Sequence, residues 1–134
     1  MFNRSRTGLA PFLLAAALLT AASACSRTSA APAAGGPPTG SALVTFVELG
    51  SVNCVPCRMM QPIMREIEQQ YAGQVEVVFH DVWTPAGRPY ADRYRIKVIP
   101  TQVFLDRAGR EYFRHEGFFP KEQLVEILKR QGVQ

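Results

Sequence analysis

The most constraining feature of this sequence is the tetrapeptide Cys54-Val55-Pro56-Cys57, which stands where a predicted strand gives way to a predicted helix. The preceding segment, Ala42–Leu49, is apolar and rich in β-branched residues, which is typical of a buried strand. After the tetrapeptide, apolar residues recur at helical spacing as far as Tyr71. A helix N-terminus offers free N–H groups and a partial positive charge, and both favour the thiolate form of Cys54.

The spacing of the two cysteines is compatible with redox chemistry. Two residues that are three positions apart in a helix lie about one turn from each other, so Cys57 can resolve a mixed disulfide formed by Cys54. Pro56 fits the first helical turn, where a missing N–H costs nothing. A C-x-x-C motif alone leaves open a static disulfide or half of a zinc site. Zinc needs further ligands, and the only candidates, His80 and His115, show no recognisable spacing.

The rest of the domain predicts the element order β-α-β-α-β-β-α. Patterns of apolar residues and turn residues place the later elements at Val75–Val82 (strand), Pro89–Tyr94 (short helix), Gln102–Leu105 and Glu111–Glu116 (hairpin strands) and from Pro120 onward (helix). Gly73 is expected to end the first helix. The sequence therefore predicts one α/β domain.

Several separated features of this domain occur together in one known family. The C-x-P-C motif is followed by Arg58, Met59 and then Pro62, eight positions after the first cysteine, where thioredoxins carry a kink proline. A proline inside a helix is otherwise disfavoured by about 3 kcal/mol, so its presence is informative. The segment Ile99-Pro100-Thr101 resembles the cis-proline loop of the family and precedes a strand, a D-x-x-G turn and a hairpin. The resemblance covers about residues 42–134.

This resemblance implies both a fold and an activity. The expected fold is thioredoxin-like, a three-layer α/β/α domain trimmed at its N-terminus, with a mixed central sheet of about four strands. The expected activity is thiol–disulfide exchange, with Cys54 as the exposed nucleophile and Cys57 as its buried partner. The Ile99–Pro100 bond is expected to be cis, and substrate contacts are assigned by resemblance to Val55, Pro56, Ile99, Pro100 and Thr101.

Glu48 is the third residue to which the resemblance assigns a catalytic role. It lies six positions before Cys54, where thioredoxins place a buried Asp, and its neighbours are apolar. A desolvated carboxylate has a raised pKa and would accept the proton of Cys57. The alternative is a surface acid at a strand end. Two positions depart from the family: Asn53 replaces the usual Trp, and Val75–Val82 lacks the usual Lys.

The first 41 residues predict export and lipid anchoring. Residues 1–24 carry two arginines, an apolar stretch and small residues, which together indicate a signal peptide. The junction Ala22-Ser23-Ala24-Cys25 resembles a bacterial lipobox, which would make Cys25 the acylated N-terminus; the alternative is ordinary cleavage after Ala24. Residues 25–41 then form the lipidated cysteine and a disordered linker rich in Pro, Gly, Ala and Ser. The protein would sit outside the cytoplasm, in the periplasm, anchored to a bacterial membrane.

Charge excludes one class of partner and leaves the direction of electron flow open. Removing Arg4 and Arg6 from the 15 basic residues leaves 13, against 11 acidic residues, so the mature chain carries only +2. No basic run alternates with aromatic residues, so nucleic-acid binding is not supported. We expect a monomer without cofactor or metal that reduces exported proteins, with cytochrome c maturation as one such process, using electrons from a membrane donor. An oxidase or isomerase, and a copper chaperone on the same fold, are the alternatives.

Overall fold

The computed structural model describes residues 42–134. The predicted signal peptide, the lipidated Cys25 and the linker lie outside the described residues. Within residues 42–134, none of the helices combines the length and the apolar character that crossing a membrane requires.

The seven predicted elements are present in the predicted order. They are β1 (Val44–Gly50), α1 (Val55–Gln70), β2 (Val75–Asp81), α2 (Arg88–Arg93), β3 (Thr101–Asp106), β4 (Glu111–Glu116) and α3 (Lys121–Lys129). The differences are small and fall at element ends. Gly50 extends β1 by one residue beyond the predicted strand end at Leu49, and Pro120 is the N-cap of α3 instead of its first residue. Gly73 lies beyond the end of α1, in a turn where its φ of 78° favours glycine.

The sheet is mixed, with the strand order β2-β1-β3-β4. β1 runs parallel to β2 and antiparallel to β3, and β4 forms an antiparallel hairpin with β3. All seven residues of β1 are buried because this strand has neighbours on both sides and helices on both faces. The apolar run that predicted a buried strand therefore has a direct structural cause.

Helices cover both faces of the sheet, which confirms the three-layer arrangement. On one face, apolar side chains of α1 and α3 pack against β1 and β3 around the stacked rings of Phe46 and Phe104, whose centroids lie 4.9 Å apart. On the other face, residues of α2 and its flanking loop pack against Val47, Leu49 and Val103. Successive strand residues point to opposite faces, so Glu48 shares the α1 face with Phe46.

Candidate active site

The two cysteines of the C-x-P-C motif form a disulfide at the start of α1. Cys54 is the N-cap of the helix, and Cys57 lies in its first turn, with 5.2 Å between the two Cα atoms. The backbone N–H of Cys57 donates to Cys54 Sγ over 3.4 Å. Cys54 keeps 8% of its surface exposed, whereas Cys57 has 0%. Cys54 is thus the more accessible of two buried cysteines in the oxidised protein, and the helix N-terminus directs an N–H group at its sulfur.

Gly50 forms the floor beneath Cys57. A Cβ atom at this position would lie 3.2 Å from Cys57 Cβ, 3.3 Å from Cys57 Sγ and 3.4 Å from the ring of Phe79. These distances are at or just below the short end of ordinary van der Waals contacts, so a larger residue would require Cys57 or the ring to shift by a few tenths of an ångström. The absence of a side chain at residue 50 therefore lets the end of β1 lie close to the disulfide.

One carboxylate joins the loops that follow β1 and β2. Asp81 accepts hydrogen bonds from the backbone N–H of Val52 at 3.1 Å and from Ser51 Oγ at 3.4 Å. Its other oxygen accepts from the backbone N–H of Trp83 at 3.1 Å. Because β1 and β2 are parallel, their carboxyl ends lie at the same edge of the sheet. Asp81 therefore holds the Trp83 loop against the loop that carries Cys54.

The segment before β3 forms the predicted cis-proline loop. The Ile99–Pro100 peptide bond is cis, as the resemblance predicted. Thr101 pairs with Leu49 at the end of β1, so the loop lies at the same sheet edge as the disulfide. Thr101 is fully buried, and its Oγ1 donates to the carbonyl of Val98 at 2.7 Å. Its side chain therefore braces the loop from inside, while Ile99 is only half-buried.

Glu48 is an acid enclosed within the core, two residues along β1 from Gly50. It has no exposed surface, which excludes the alternative of a surface acid at a strand end. Its cross-strand neighbours are Phe79 on β2 and Gln102 on β3. Desolvation raises the pKa of Glu48 to about 8, and the nearby Gln102 amide opposes this shift. That amide stands outside good hydrogen-bond geometry, so desolvation dominates.

The surroundings of Glu48 reflect one of the two departures from the family pattern. The β2 residue beside Glu48 is Phe79, so this strand supplies an aromatic ring where thioredoxins commonly place a Lys. Neither Glu48 oxygen forms a hydrogen bond within residues 42–134. An unpaired buried carboxylate would cost several kcal/mol, so the neutral acid is the favoured form in this oxidised structure.

The exposed apolar side chains of the described residues gather around this site. The six large ones are Val52, Val55, Met59, Trp83, Val98 and Phe118, here called the apolar rim. Three flank the cysteines in sequence, and one lies two residues before Pro100. Phe118 follows Gly117, whose N–H donates to the Pro100 carbonyl at 2.8 Å, and Trp83 is held through Asp81. Clustered exposed apolar groups mark interaction surfaces.

Sequence analysis identified only part of this surface. It named Val55, which is exposed, but it missed Trp83, because a residue 29 positions after the first cysteine gives no local sign of proximity. The available signal was an aromatic residue in the loop that follows the predicted strand Val75–Val82. Gln102 was also missed, although an amide followed by three apolar residues in a predicted strand is unusual.

Neither histidine contributes to a metal site in the part of the chain that the structure describes. His80 stacks on Tyr90, with ring centroids 3.5 Å apart, and His115 stacks on Phe119 at 4.2 Å. Across residues 42–134, no three His, Cys, Asp or Glu side chains gather as metal ligands would. The zinc and copper alternatives therefore receive no support from the geometry of these residues.

Comparisons with known proteins place this geometry in a family. Residues 36–132 match the family model for the thioredoxin-like domain. A thioredoxin of Staphylococcus aureus is 31% identical over 85 residues, which cover 63% of this chain and 79% of that protein. The structure of Fasciola hepatica thioredoxin has a TM-score of 0.59 and 25% identity, covering 69% of this chain and 83% of that one. Chloroplastic thioredoxin z gives a TM-score of 0.60 and 27% identity, covering 67% and 79%.

The chain belongs to the thioredoxin-like domain family. Family membership and the bonded pair Cys54 and Cys57 at a helix N-terminus together define the class of activity. The protein is a thiol–disulfide oxidoreductase.

Proposed function

We propose that this protein reduces disulfide bonds in exported proteins and is itself reduced again by an electron donor at the membrane. The observation that carries the proposal is the disulfide at the start of α1, with Cys54 outermost and the apolar rim around it. A rim of this kind suits a polypeptide substrate, because flanking side chains of an unfolded or extended segment can be buried against it. Maturation of cytochrome c, whose haem-binding cysteines must be reduced, is one process that needs such a reductant.

The first chemical step uses Cys54. In the reduced protein, the Cys54 thiolate attacks one sulfur of the substrate disulfide, and the other substrate sulfur leaves with the bonding electron pair. A mixed disulfide between Cys54 and the substrate results. The N–H of Cys57, which lies 3.4 Å from Cys54 Sγ in the oxidised protein, favours the anionic sulfur before the attack.

The second step releases the substrate and uses Cys57 and Glu48. The Cys57 thiol must lose its proton, which we assign to the Glu48 carboxylate. The Cys57 thiolate then attacks Cys54 Sγ, so the Cys54–Cys57 bond forms and the second substrate thiolate leaves. Two electrons have passed from the cysteine pair to the substrate. Glu48 ends this step protonated, in agreement with the raised pKa of about 8 in the oxidised structure.

The same acid serves the return half of the cycle. When a donor thiolate opens the disulfide by attacking Cys54, Cys57 leaves as a thiolate in a place with no exposed surface. Neutral Glu48 can give its proton to that thiolate. It is then a carboxylate, which can accept the proton of Cys57 in the next cycle. One buried group with a pKa near the working pH therefore assists both directions.

The reducing direction is supported by the residues between the cysteines. Val55 and Pro56 offer no charge or hydrogen bond to the Cys54 thiolate, whereas strongly oxidising relatives often place a His there. A less stabilised thiolate makes the dithiol form a better reductant. If the protein instead acts as an oxidase or isomerase, its disulfide will equilibrate at a less negative potential than that of a reductant.

Anchoring at a membrane completes the proposal. Acylation of Cys25, followed by a linker ending at residue 41, would tether the described domain outside the cytoplasm. Mass spectrometry of the N-terminal peptide from membrane-extracted protein should show Cys25 with its acyl chains. An unmodified soluble chain would refute the anchor and leave the redox proposal intact.

Trapping of partners is the decisive experiment. A full-length Cys57→Ser variant retains the attacking sulfur and cannot resolve, so exported substrates should accumulate as mixed disulfides that dithiothreitol releases. The matched control is the double variant Cys54→Ser/Cys57→Ser, which should trap nothing. Equilibration of the wild-type pair with glutathione buffers then gives the potential. A potential in the oxidase range would overturn the assigned direction.

A further inference from the structure

Gln102 is a buried amide that the reaction described above does not use. It directly follows Thr101 of the cis-proline loop, and its own surface is 0% exposed. The next three residues of β3 are apolar and buried, so this part of the strand could have been apolar throughout. Gln102 is instead the cross-strand partner of Glu48, and both side chains point to the α1 face of the sheet.

The two side chains have no other polar partner within residues 42–134. Both oxygens of Glu48 and both polar atoms of Gln102 lack a hydrogen bond there, to each other as well as to any other group. Buried polar side chains in proteins are nearly always hydrogen-bonded, and the polar group available to each of these two side chains is its cross-strand neighbour.

The nearby groups on the neighbouring elements do not form hydrogen bonds with Glu48 or Gln102. β2 presents Phe79 beside Glu48. β4 presents His115 beside Gln102, but that ring stacks on Phe119, and its Nε2 lies 3.2 Å from the Phe118 carbonyl. On α1 the titratable residue of this buried face is Cys57. Further along the face, the Tyr112 hydroxyl donates to the Ile127 carbonyl of α3.

An amide is suited to a neighbour that changes its protonation state. Its oxygen can accept a hydrogen bond from a neutral carboxylic acid, and its NH₂ group can donate to a carboxylate. A half-turn about the last side-chain torsion exchanges the two groups. A hydrocarbon of the same volume can do neither, and it would leave the carboxylate form of Glu48 with no donor at all.

We propose that Gln102 is the positioning residue for Glu48, hydrogen bonding with its carboxyl group in each protonation state and holding it beneath α1. The proposal deepens the function proposed above and rests on it for its catalytic meaning. During substrate release, the proton moves from Cys57 Sγ to a Glu48 carboxylate that Gln102 has held through its NH₂ group. The Gln102 oxygen then accepts the new O–H.

The first test measures Glu48 directly in the oxidised protein. Carboxyl ¹³C NMR follows its titration, with the signal assigned by its loss in Glu48→Gln. Gln102→Leu removes both hydrogen bonds, and because the bond to the charged carboxylate is the stronger one, the titration midpoint of Glu48 should rise by at least about half a pH unit. Gln102→Met, a second apolar variant of similar volume, should give the same rise, and Gln102→Asn, which keeps the amide, should give a smaller one. An unchanged midpoint in the folded Leu or Met variant would overturn the proposal, since an amide that only fills space would change stability alone.

The second test separates this proposal from the assignment of Glu48 as proton acceptor. Rates of substrate release from the mixed disulfide are measured from pH 6 to 9 for the wild type and Gln102→Leu. The profile should move to higher pH by the same amount as the NMR midpoint. In the Glu48→Gln background, adding Gln102→Leu should leave the profile unmoved. If the NMR midpoint moves and the rates do not, Gln102 holds Glu48 as proposed and the role of Glu48 in release is refuted.

Discussion

Cys54 and Cys57 are bonded to each other, yet their surroundings differ in almost every respect. Cys54 lies at the helix N-terminus among the exposed side chains of the apolar rim. Cys57 faces inward, over Gly50 and the ring of Phe79. Further along β1 on this same face lies Glu48, a buried acid. A distance of 5.2 Å between two Cα atoms therefore separates a binding surface from a proton-handling interior.

This contrast shows which changes each region tolerates. Rim residues contribute little to the core, so their substitution changes what is bound more than whether the chain folds. Interior residues are close-packed and poorly solvated, so a change of one carbon or one proton alters the chemistry and the stability together. We therefore propose that the rim selects the substrate and that the interior determines how fast that substrate is released.

The largest expected effect separates the two sulfurs. Cys54→Ser and Cys57→Ser should both abolish catalytic turnover in insulin reduction, because each removes one of the two thiols that together donate the electron pair. Only Cys57→Ser should accumulate a mixed disulfide with substrate, as seen on non-reducing gels. Accumulation in Cys54→Ser instead would reverse the assignment of attacking and resolving sulfur.

Replacing Glu48 should affect release far more than attack. Glu48→Ala removes the proton acceptor for Cys57, and general-base assistance is typically about 10²–10⁴-fold, so we expect a loss near 10²-fold in the release step. Formation of the mixed disulfide should stay close to the wild-type rate, because the helix terminus alone favours the Cys54 thiolate. Stopped-flow measurements on both sides of neutral pH resolve the two steps. Equal slowing of both steps would contradict an interior role.

Gly50→Ala tests the interior through packing. The added Cβ would press on Cys57 and Phe79 at 3.2–3.4 Å, and overpacking of this kind costs about 1–3 kcal/mol. Urea unfolding of the oxidised variant should show that loss. A stability equal to the wild type would mean that the end of β1 yields more easily than its close contacts suggest.

The interior should also make stability depend on pH. Glu48 has an ordinary pKa of 4.5 and a folded pKa of about 8, so the unfolded chain loses this proton first as pH rises. Its contribution to the free energy of unfolding is complete below pH 4.5 and falls by about 1.4 kcal/mol per pH unit towards pH 8. Urea unfolding at pH 5, 6, 7 and 8 should show the wild type losing stability relative to Glu48→Gln. A constant difference between the two would show that Glu48 titrates normally.

The sequence predicted most of the fold, the cysteine pair and the buried acid, but only part of the residues that surround them. Element order and type were correct because each element carries its own local pattern, and the cysteine pair with its cis-proline loop was found through motifs. The burial of Glu48 was predicted because its neighbours in β1 are apolar. Gln102 and Trp83 were missed because their partners lie on other strands, and a cross-strand register or a shared carboxylate leaves no periodic trace in the chain.

The smallest expected effect concerns the rim and is tested at Trp83. This side chain is 59% exposed, and its backbone N–H shares the Asp81 carboxylate with that of Val52, two residues before Cys54. Truncating an aromatic contact at an interface commonly costs roughly 1 kcal/mol or more, so Trp83→Ala should raise KM for a protein substrate about fivefold. The value of kcat and the reduction of hydroxyethyl disulfide should not change, because a small disulfide reaches Cys54 without touching the rim. Glu122→Ala on α3 serves as the surface control.

Trp83 is the only tryptophan of the chain, so its fluorescence should also shift when the Cys57→Ser variant captures a protein substrate. An unchanged spectrum with an unchanged KM would remove Trp83 from the rim and leave substrate selection to the residues beside the cysteines.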